Sequence, residues 1–402
     1  MSDFINEPLS KFFQECKSFQ SVQKVYFELD RAGYEVYLAG GCVRDGLLKR
    51  VPNDFDIATN ATPDEVQKVF AKSLDVGKQF GVIVVLIDGE QVEVATFRND
   101  GVYTDGRRPE KIEFSSAKED ALRRDFTINA LFYDLKSEKI IDYVGGVSDL
   151  HRKTIRAVGE PLRRFEEDHL RILRAIRFSS QLGFEIEKNT LNAVLAMSPM
   201  ITKVSRERIQ IEIEKTFLGP HWLKALGYLF DANVFKVLFK DLNLLQNEFS
   251  KMPILNDEHT IWVNLFLALK KCNENFDCKK ELGNWKFSGQ TKTAILHALD
   301  WDQERLHNIS VGEAVEVCFD SYSQYGLSQL ELTDALLIQK RNSINERLKV
   351  LKVKPEPFLR ASDLAEKSGR ELGDSLRRTY WAQLEGVVKD VPEALSFAKA
   401  LK

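Results

Sequence analysis

Tyr37-Leu-Ala-Gly-Gly-Cys-Val-Arg-Asp45, followed by Asn53-Asp-Phe-Asp-Ile-Ala58, is the stretch that decides the fold. The first run reads as a strand, Glu35 to Ala39, turning through Gly40 and Gly41 into a helix from Val43 to Leu48. The second reads as a strand from Phe55 to Ala58. Side chains alternate faces along a strand, so Asp54 and Asp56 are expected on one face, with Phe55 turned into the core. Two neighbouring carboxylates repel each other unless a cation lies between them, which invites a divalent metal. Gly40 and Gly41, just ahead of a helix start, let backbone N–H groups come close to a phosphate. An Asp-x-Asp alone is as readily a solvated turn. With the glycine run ahead of it, the pattern suits a nucleoside triphosphate with Mg²⁺ (two ions) and points to phosphoryl or nucleotidyl transfer.

Outward from that stretch, the first 150 residues alternate helix and strand. Ser18 to Ala32 has helical spacing, and Thr62-Pro-Asp-Glu65 combines an N-cap, an N1 proline and early acids. Gly81 to Ile87 and Gln91 to Phe97 flank Asp88-Gly89, a two-residue hairpin turn. A hairpin inside an alternating pattern predicts a mixed sheet. Beyond about Asp149 the signals turn helical: Phe165–Leu182, Val204–Leu218, His221–Asp231, Thr260–Lys271 and Gln290–Leu299. Lys352-Val-Lys-Pro-Glu-Pro-Phe358 reads as a linker to a terminal helical unit. The fold class expected is α+β, a small head with a mixed sheet followed by helical segments.

At 402 residues the chain exceeds one core and should divide into several domains. A hydrophobic content of 44% and a charged content of 29% are those of a globular protein. The net charge of −3 excludes a uniformly basic chain, so any polyanion must meet local basic patches. One such patch runs from His151 to Arg177, with eight Lys and Arg against four acids, enough to favour an RNA partner. Cys16, Cys42, Cys272, Cys278 and Cys318 are odd in number and scattered, without zinc-ligand spacing. No run approaches the roughly 18 apolar residues of a membrane span. The start, Met1-Ser-Asp-Phe4, has no basic region of a secretion signal. These features predict a cytoplasmic protein with no membrane partner, and they leave the oligomeric state open.

Three further constellations carry chemistry. Glu93 faces opposite to Val92 and Val94 on the strand after the hairpin, and adds a third carboxylate if that strand lies beside Asp54 and Asp56. In two-metal transfer, such acids serve an attacking 3′-hydroxyl and a leaving pyrophosphate. In Arg123-Arg-Asp-Phe-Thr-Ile-Asn129, Arg123 and Arg124 can grip phosphate oxygens. Asp125 can accept from a ribose hydroxyl, and Asn129 falls one helical turn later on the same side. Phe165 to Phe178 reads as one helix, with Asp168, Arg171, Arg174 and Arg177 as a polar stripe and Leu170, Ile172, Leu173, Ile176 and Phe178 as the packed side. An Asp and an Arg at fixed separation match the Watson–Crick edges of cytosine and adenine, and reject uracil and guanine. An intrahelical salt bridge on a solvated face is the alternative reading of the same spacing. Residues 98–109, with two glycines and no hydrophobic period, read as a mobile loop near the site. Tyr380 and Trp381, beside Arg377 and Arg378, are candidates for stacking on RNA bases, with core packing of the Trp as the alternative.

The ordered set Gly40-Gly-x-Val-Arg-Asp45, Asp54-x-Asp56, Arg123-Arg-Asp125 and Glu167-Asp-x-x-Arg171 resembles the class II tRNA nucleotidyltransferase and bacterial poly(A) polymerase superfamily. The resemblance implies a polymerase-β-like catalytic head at 1–149, a helical neck with the base-reading helix at 150–218, a helical body at 219–351 and a helical tail at 352–402. It implies Mg²⁺ at Asp54 and Asp56, and Gly41 and Arg44 on the incoming triphosphate. Arg124 and Asp125 would address ribose and phosphates, and Asp168 and Arg171 the base, supported by Arg174 and Arg177. Its implied activity is addition of C, C and A from CTP and ATP to the 3′ end of tRNA without a nucleic-acid template. An A-adding enzyme or poly(A) polymerase shares the chemistry, and a catalytically silent RNA-binding protein is the third reading. Gly77-Lys-Gln-Phe-Gly81 resembles the nucleotidyltransferase form of that segment, and the long 98–109 loop argues against a CC-only enzyme.

Overall fold

The row of residues that crosses the central sheet explains why the head exists. In a computed structural model, which describes residues 9–100, 112–239, 258–273, 276–301, 303–330, 332 and 334–401, β1 (Val36–Ala39) and β2 (Asp56–Thr59) are antiparallel, with Ala39 opposite Asp56. After β3 (Ser73–Gly77), the hairpin of β4 (Val82–Ile87) and β5 (Glu90–Thr96) brings Glu93 opposite Asp56 in a parallel pairing of β5 with β2. Asp88 and Gly89 both take positive φ, 54° and 81°, as a tight hairpin turn requires. The short strands β6 (Arg98–Asp100) and β7 (Ile112–Phe114) pair with each other. Residues 98–100 of the expected loop are therefore strand, and residues 101–109 lie outside the described residues. With β8 (Leu131–Asp134) and β9 (Lys139–Asp142) the main sheet has seven strands in the order β3-β4-β5-β2-β1-β8-β9. It is mixed, as the hairpin within an alternating pattern predicts.

Helices pin this sheet from its hydrophobic positions. Phe13 of α1 (Ser10–Phe13) and Phe19 of α2 (Phe19–Arg31) lie 5.2 Å, centroid to centroid, from the Phe55 ring. Burying Phe55 contributes roughly 1.5–3 kcal/mol, and its inward turn fixes the outward turn of its two neighbours. The first strand runs through Gly40 into α3 (Gly41–Leu47). Thr62 caps α4 (Pro63–Val69) in a capping box with Glu65, and Ser116 does the same for α5 (Ala117–Arg123) with Glu119. Gly145 then opens α6 (Gly146–His151).

The helical segment that follows departs from the sequence reading at one place. Phe165 to Phe178 is two helices, α7 (Pro161–Glu167) and α8 (Leu170–Leu182), broken at Asp168. Asp168 is extended, at φ −145° and ψ 105°, and its Oδ1 accepts from the Leu170 N–H at 3.0 Å. A short carboxylate can bond the backbone just beyond it, and here that local bond ends one helix and starts the next. After α9 (Lys188–Met197) comes α10 (Arg206–Phe217), packed on α8. The segment expected to be a helical neck is not wholly helical: Thr154–Ile155 and Glu185–Ile186 form a parallel two-residue pair.

The chain divides into two compact units, residues 1–241 and 242–402. The second has helices as its regular elements among the described residues, including Glu258–Cys272, Gly289–Leu299, Ala335–Leu351 and Gly369–Glu385. Trp262 packs on Trp285 and Phe287, at 4.8 and 4.7 Å between ring centroids. The proline-flanked stretch 352–358 is strapped down: Tyr380 Oη donates to the Pro355 carbonyl, and Gln383 Nε2 to that of Glu356. Tyr380 is buried, and the half-buried Trp381 donates its indole N–H to Glu316 at 2.8 Å. Packing accounts for Tyr380, while Trp381 lines a surface cavity with Arg377 and Arg378.

Candidate active site

One cleft of about 1100 Å³ takes its walls from the head and the helices that follow it. Gly40, Gly41, Arg44, Asp54, Asp56, Arg123, Arg124, Asp125, Asn129, Asp168, Arg171, Arg174 and Arg177 all line it. Glu93 does not line it, but sits beside Asp56 in the sheet, with its side chain exposed. The sheet register is the reason for the convergence. The end of β1, from which Gly40 and Gly41 emerge, lies directly opposite the start of β2, from which Asp54 and Asp56 emerge.

Gly40 takes a φ of 73°, and a Cβ there would stand 3.0 Å from Arg124 Nη1. Only glycine both adopts that turn and admits the guanidinium. Asp54 and Asp56 are exposed in the cleft, and neither they nor Glu93 makes a side-chain hydrogen bond or ion pair among the described residues. Crowding by surrounding protein, then the charges of Asp54 and Glu93, push the Asp56 carboxyl up to about 6 against the pull of Arg124. Cys42 lies buried behind them, donating to the Ala39 carbonyl at 3.3 Å. Burial and the nearby Asp56 push its thiol up to about 12, so it stays protonated and inert.

The cationic side of the cleft is built differently. Asp45 grips Arg44 in a two-pronged pair at 2.8 and 3.0 Å, and Asn129 Oδ1 accepts from Arg44 Nη1 at 2.7 Å. Buried Asp120 holds Arg123 at 2.6 Å and Arg124 at 3.0 Å. Asp125 accepts from Arg174 Nε at 2.7 Å and from the Phe126 N–H at 2.8 Å. Burial alone would raise Asp125, but Arg174 and Arg171 hold it down at about 2. Asn129 lies in a 3₁₀ turn rather than one turn along a helix, because the chain is extended from Arg124 to Phe126; its Nδ2 still reaches Asp125 at 3.5 Å.

Asp168 and Arg171 face the same cleft, and although the Arg171 N–H donates to the Asp168 carbonyl at 3.0 Å, their side chains take different partners. Arg171 donates to Glu167 at 2.8 Å and to the carbonyls of Arg164 and Arg123. Asp168 Oδ2 instead accepts from Arg208 of α10 at 2.7 Å. Arg171 and Arg177 are only 8% and 7% exposed, which removes the solvated-stripe reading. Arg177 pairs with buried Glu212 at 3.2 Å, where burial pushes the Glu212 carboxyl up. The sequence reading assigned nothing to Arg208, Glu212 or Lys215, nor a role to Asp45. The signal was available in part: Arg208, Glu212 and Lys215 recur at i, i+4 and i+7, one face of a helix.

A curated relative from Enterococcus faecalis, a CCA-adding enzyme, is 35% identical over 95% of this chain and 96% of its own length. The chain belongs to the CCA-adding enzyme family. Residues 36–156 match the family described as Poly A polymerase head domain, and 183–245 the one described as probable RNA and SrmB-binding site of polymerase A. The solved CCA-adding enzyme of Bacillus stearothermophilus in complex with CTP is 29% identical with a TM-score of 0.75, over 95% of this chain and 97% of that one. The Thermotoga maritima CCA-adding enzyme complexed with tRNA shares the fold, with a TM-score of 0.73 at 22% identity over 98% of both chains.

The donor set of this CCA-adding enzyme family member fits a divalent cation. Two exposed carboxylates with no ion pair among the described residues, one of them raised by crowding and by its acidic neighbours, are hard oxygen ligands of the kind Mg²⁺ takes. No three His, Cys, Asp or Glu converge on a metal position among the described residues. The protein offers a partial shell, as Mg²⁺ sites that keep water and phosphate ligands do.

Proposed function

We propose that this chain adds CMP, CMP and AMP in turn to the 3′ end of tRNA, using CTP and ATP and releasing pyrophosphate, with no nucleic-acid template. The observation that supports it most is that the carboxylates and the base-reading residues line one cleft. In this reading Asp54 and Asp56 carry two Mg²⁺ ions, with Glu93 adding negative charge from the next strand. Bound there, the ions would supply charge stabilisation at the attacking 3′-oxygen and at the triphosphate. Gly40, Gly41 and Arg44 hold the triphosphate, and Arg123, Arg124, Asp125 and Asn129 the ribose and phosphate side. Asp168, turned by Arg208, accepts from the amino group of C or A, and Arg171 donates to the ring acceptor. Uracil and guanine present an oxygen to Asp168 and leave it unpaired, which costs about 1–3 kcal/mol or more. Arg174 and Arg177 complete the nucleotide pocket.

The division of labour follows as head 1–149, neck 150–218, body 219–351 and tail 352–402, with tRNA met by the basic neck and by surfaces beyond it. Five free thiols suit a cytoplasmic location. The test is addition of labelled CTP and ATP to tRNAs ending at each intermediate length. One or two C residues and a single A are expected on the matching substrates. No CMP incorporation would overturn the proposal, and unlimited A tails would favour poly(A) synthesis.

A further inference from the structure

The ring of Phe178, in the second half of α8, is shared by three arginines of the cleft. The guanidinium carbons of Arg44, Arg174 and Arg177 lie 5.5, 5.4 and 4.4 Å from its centroid. Phe178 lines the cleft but is only 5% exposed, and its own ring is propped edge-on by Phe126 at 5.6 Å. Each arginine has a separate carboxylate on its polar edge: Asp45, Asp125 and Glu212 respectively. Asn129 links Arg44 to Asp125, and so to Arg174, through bonds of 2.7 and 3.5 Å, but that polar chain does not include Arg177 and does not register all three cations against one another. The ring does. An aromatic face attracts a guanidinium, and the attraction grows where water is excluded. Arg44 comes from the glycine turn that leads to the triphosphate, whereas Arg174 and Arg177 come from the helix that carries Arg171.

We propose that Phe178 is a positioning residue that sets the spacing between the triphosphate-holding and base-reading ends of the pocket by stacking Arg44, Arg174 and Arg177 on one ring. Nucleotide affinity and choice of base then both depend on an aromatic ring at a position that makes no hydrogen bond to the nucleotide. The inference rests on the nucleotide-binding role proposed above for the cleft. The competing role is plain core filling, which any apolar side chain of similar volume would supply.

Phe178→Leu and Phe178→Met keep apolar bulk without the ring, and Phe178→Tyr keeps the ring. Binding of CTP, ATP and UTP is measured by titration calorimetry on the full chain, alongside melting temperature and KM against kcat for CMP addition. Leu and Met are expected to weaken CTP and ATP binding about tenfold and to narrow the preference for CTP over UTP, with Tyr restoring both. A second arm combines Phe178→Leu with Arg44→Lys; the two losses are expected to be less than additive, because both remove the same contact. Wild-type affinity and selectivity in Leu and Met, Tyr falling as far as Leu, or strict additivity would each overturn the proposal. If the wild type bound CTP but added no CMP, the activity reading would fail while the binding comparison still decided the role of the ring.

Discussion

The two ends of the cleft handle charge in opposite ways. At the sheet end, Asp54 and Asp56 stand exposed with no described cation bonded to them, and crowding by surrounding protein, then the charges of Asp54 and Glu93, push the Asp56 carboxyl up to about 6. At the helical end, Arg44, Arg174 and Arg177 each have a carboxylate of their own, and Asp125 is held near 2. The first end is electrostatically incomplete and gains from an incoming cation. The second is already organised, so that a base meets donors and acceptors whose positions do not have to be found. The lesson is that a stable fold and a reactive one can share a cavity, with the strain confined to one wall.

This contrast can be broken most decisively by activity. Asp54→Ala or Asp56→Ala should lower CMP addition by about a thousandfold or more while tRNA affinity in a filter-binding assay is kept. Near-normal turnover in either variant would sink the metal assignment. Next in size is base choice. Asp168→Ala should cut discrimination of CTP over UTP by about a hundredfold, and Arg208→Ala in the same direction by about tenfold, read from competing incorporation. If only Asp168 mattered, Arg208 would be a bystander rather than the group that aims it.

Stability gives the sharper form, because the sign should differ between the ends. Asp125→Ala strands Arg174 and should cost about 3 kcal/mol in urea unfolding at neutral pH. Since the Asp125 carboxyl is depressed on folding, its contribution is present above its ordinary value of 3.8 and is lost as pH falls toward 2. Asp56 is raised on folding, so its charge opposes folding above about pH 6 and not below 3.8. Asp56→Asn should therefore raise the melting temperature slightly at about pH 7.5, with the gain disappearing near pH 4. Equal signs for Asp125 and Asp56 at neutral pH would erase the distinction drawn here.

Much of this arrangement was legible in the residues. Phe55 turns inward with Asp54 and Asp56 exposed on either side of it, although β2 begins only at Asp56, and the hairpin at Asp88-Gly89 brings Glu93 beside Asp56. The reading failed where a local bond competes with periodicity. Asp168 and Arg171 have helical spacing, yet the Asp168 side chain bonds the Leu170 N–H and breaks the helix between α7 and α8. Asn129 reaches Asp125 through a 3₁₀ turn that no helical count would give. Tyr380, offered as a stacking residue on composition, is buried and bonds the Pro355 carbonyl.

Sequence by itself determined the chemistry on offer: the outward acids, the glycine turn, the mixed sheet and the arginine-rich helix, because strand and helix periods act over a few neighbouring residues. Only the tertiary structure decided the partnerships. Asp168 turns to Arg208, 40 residues on, and Arg174 to Asp125, 49 residues back. Pairings at such separation depend on how sheet and helices pack, and no local pattern encodes them.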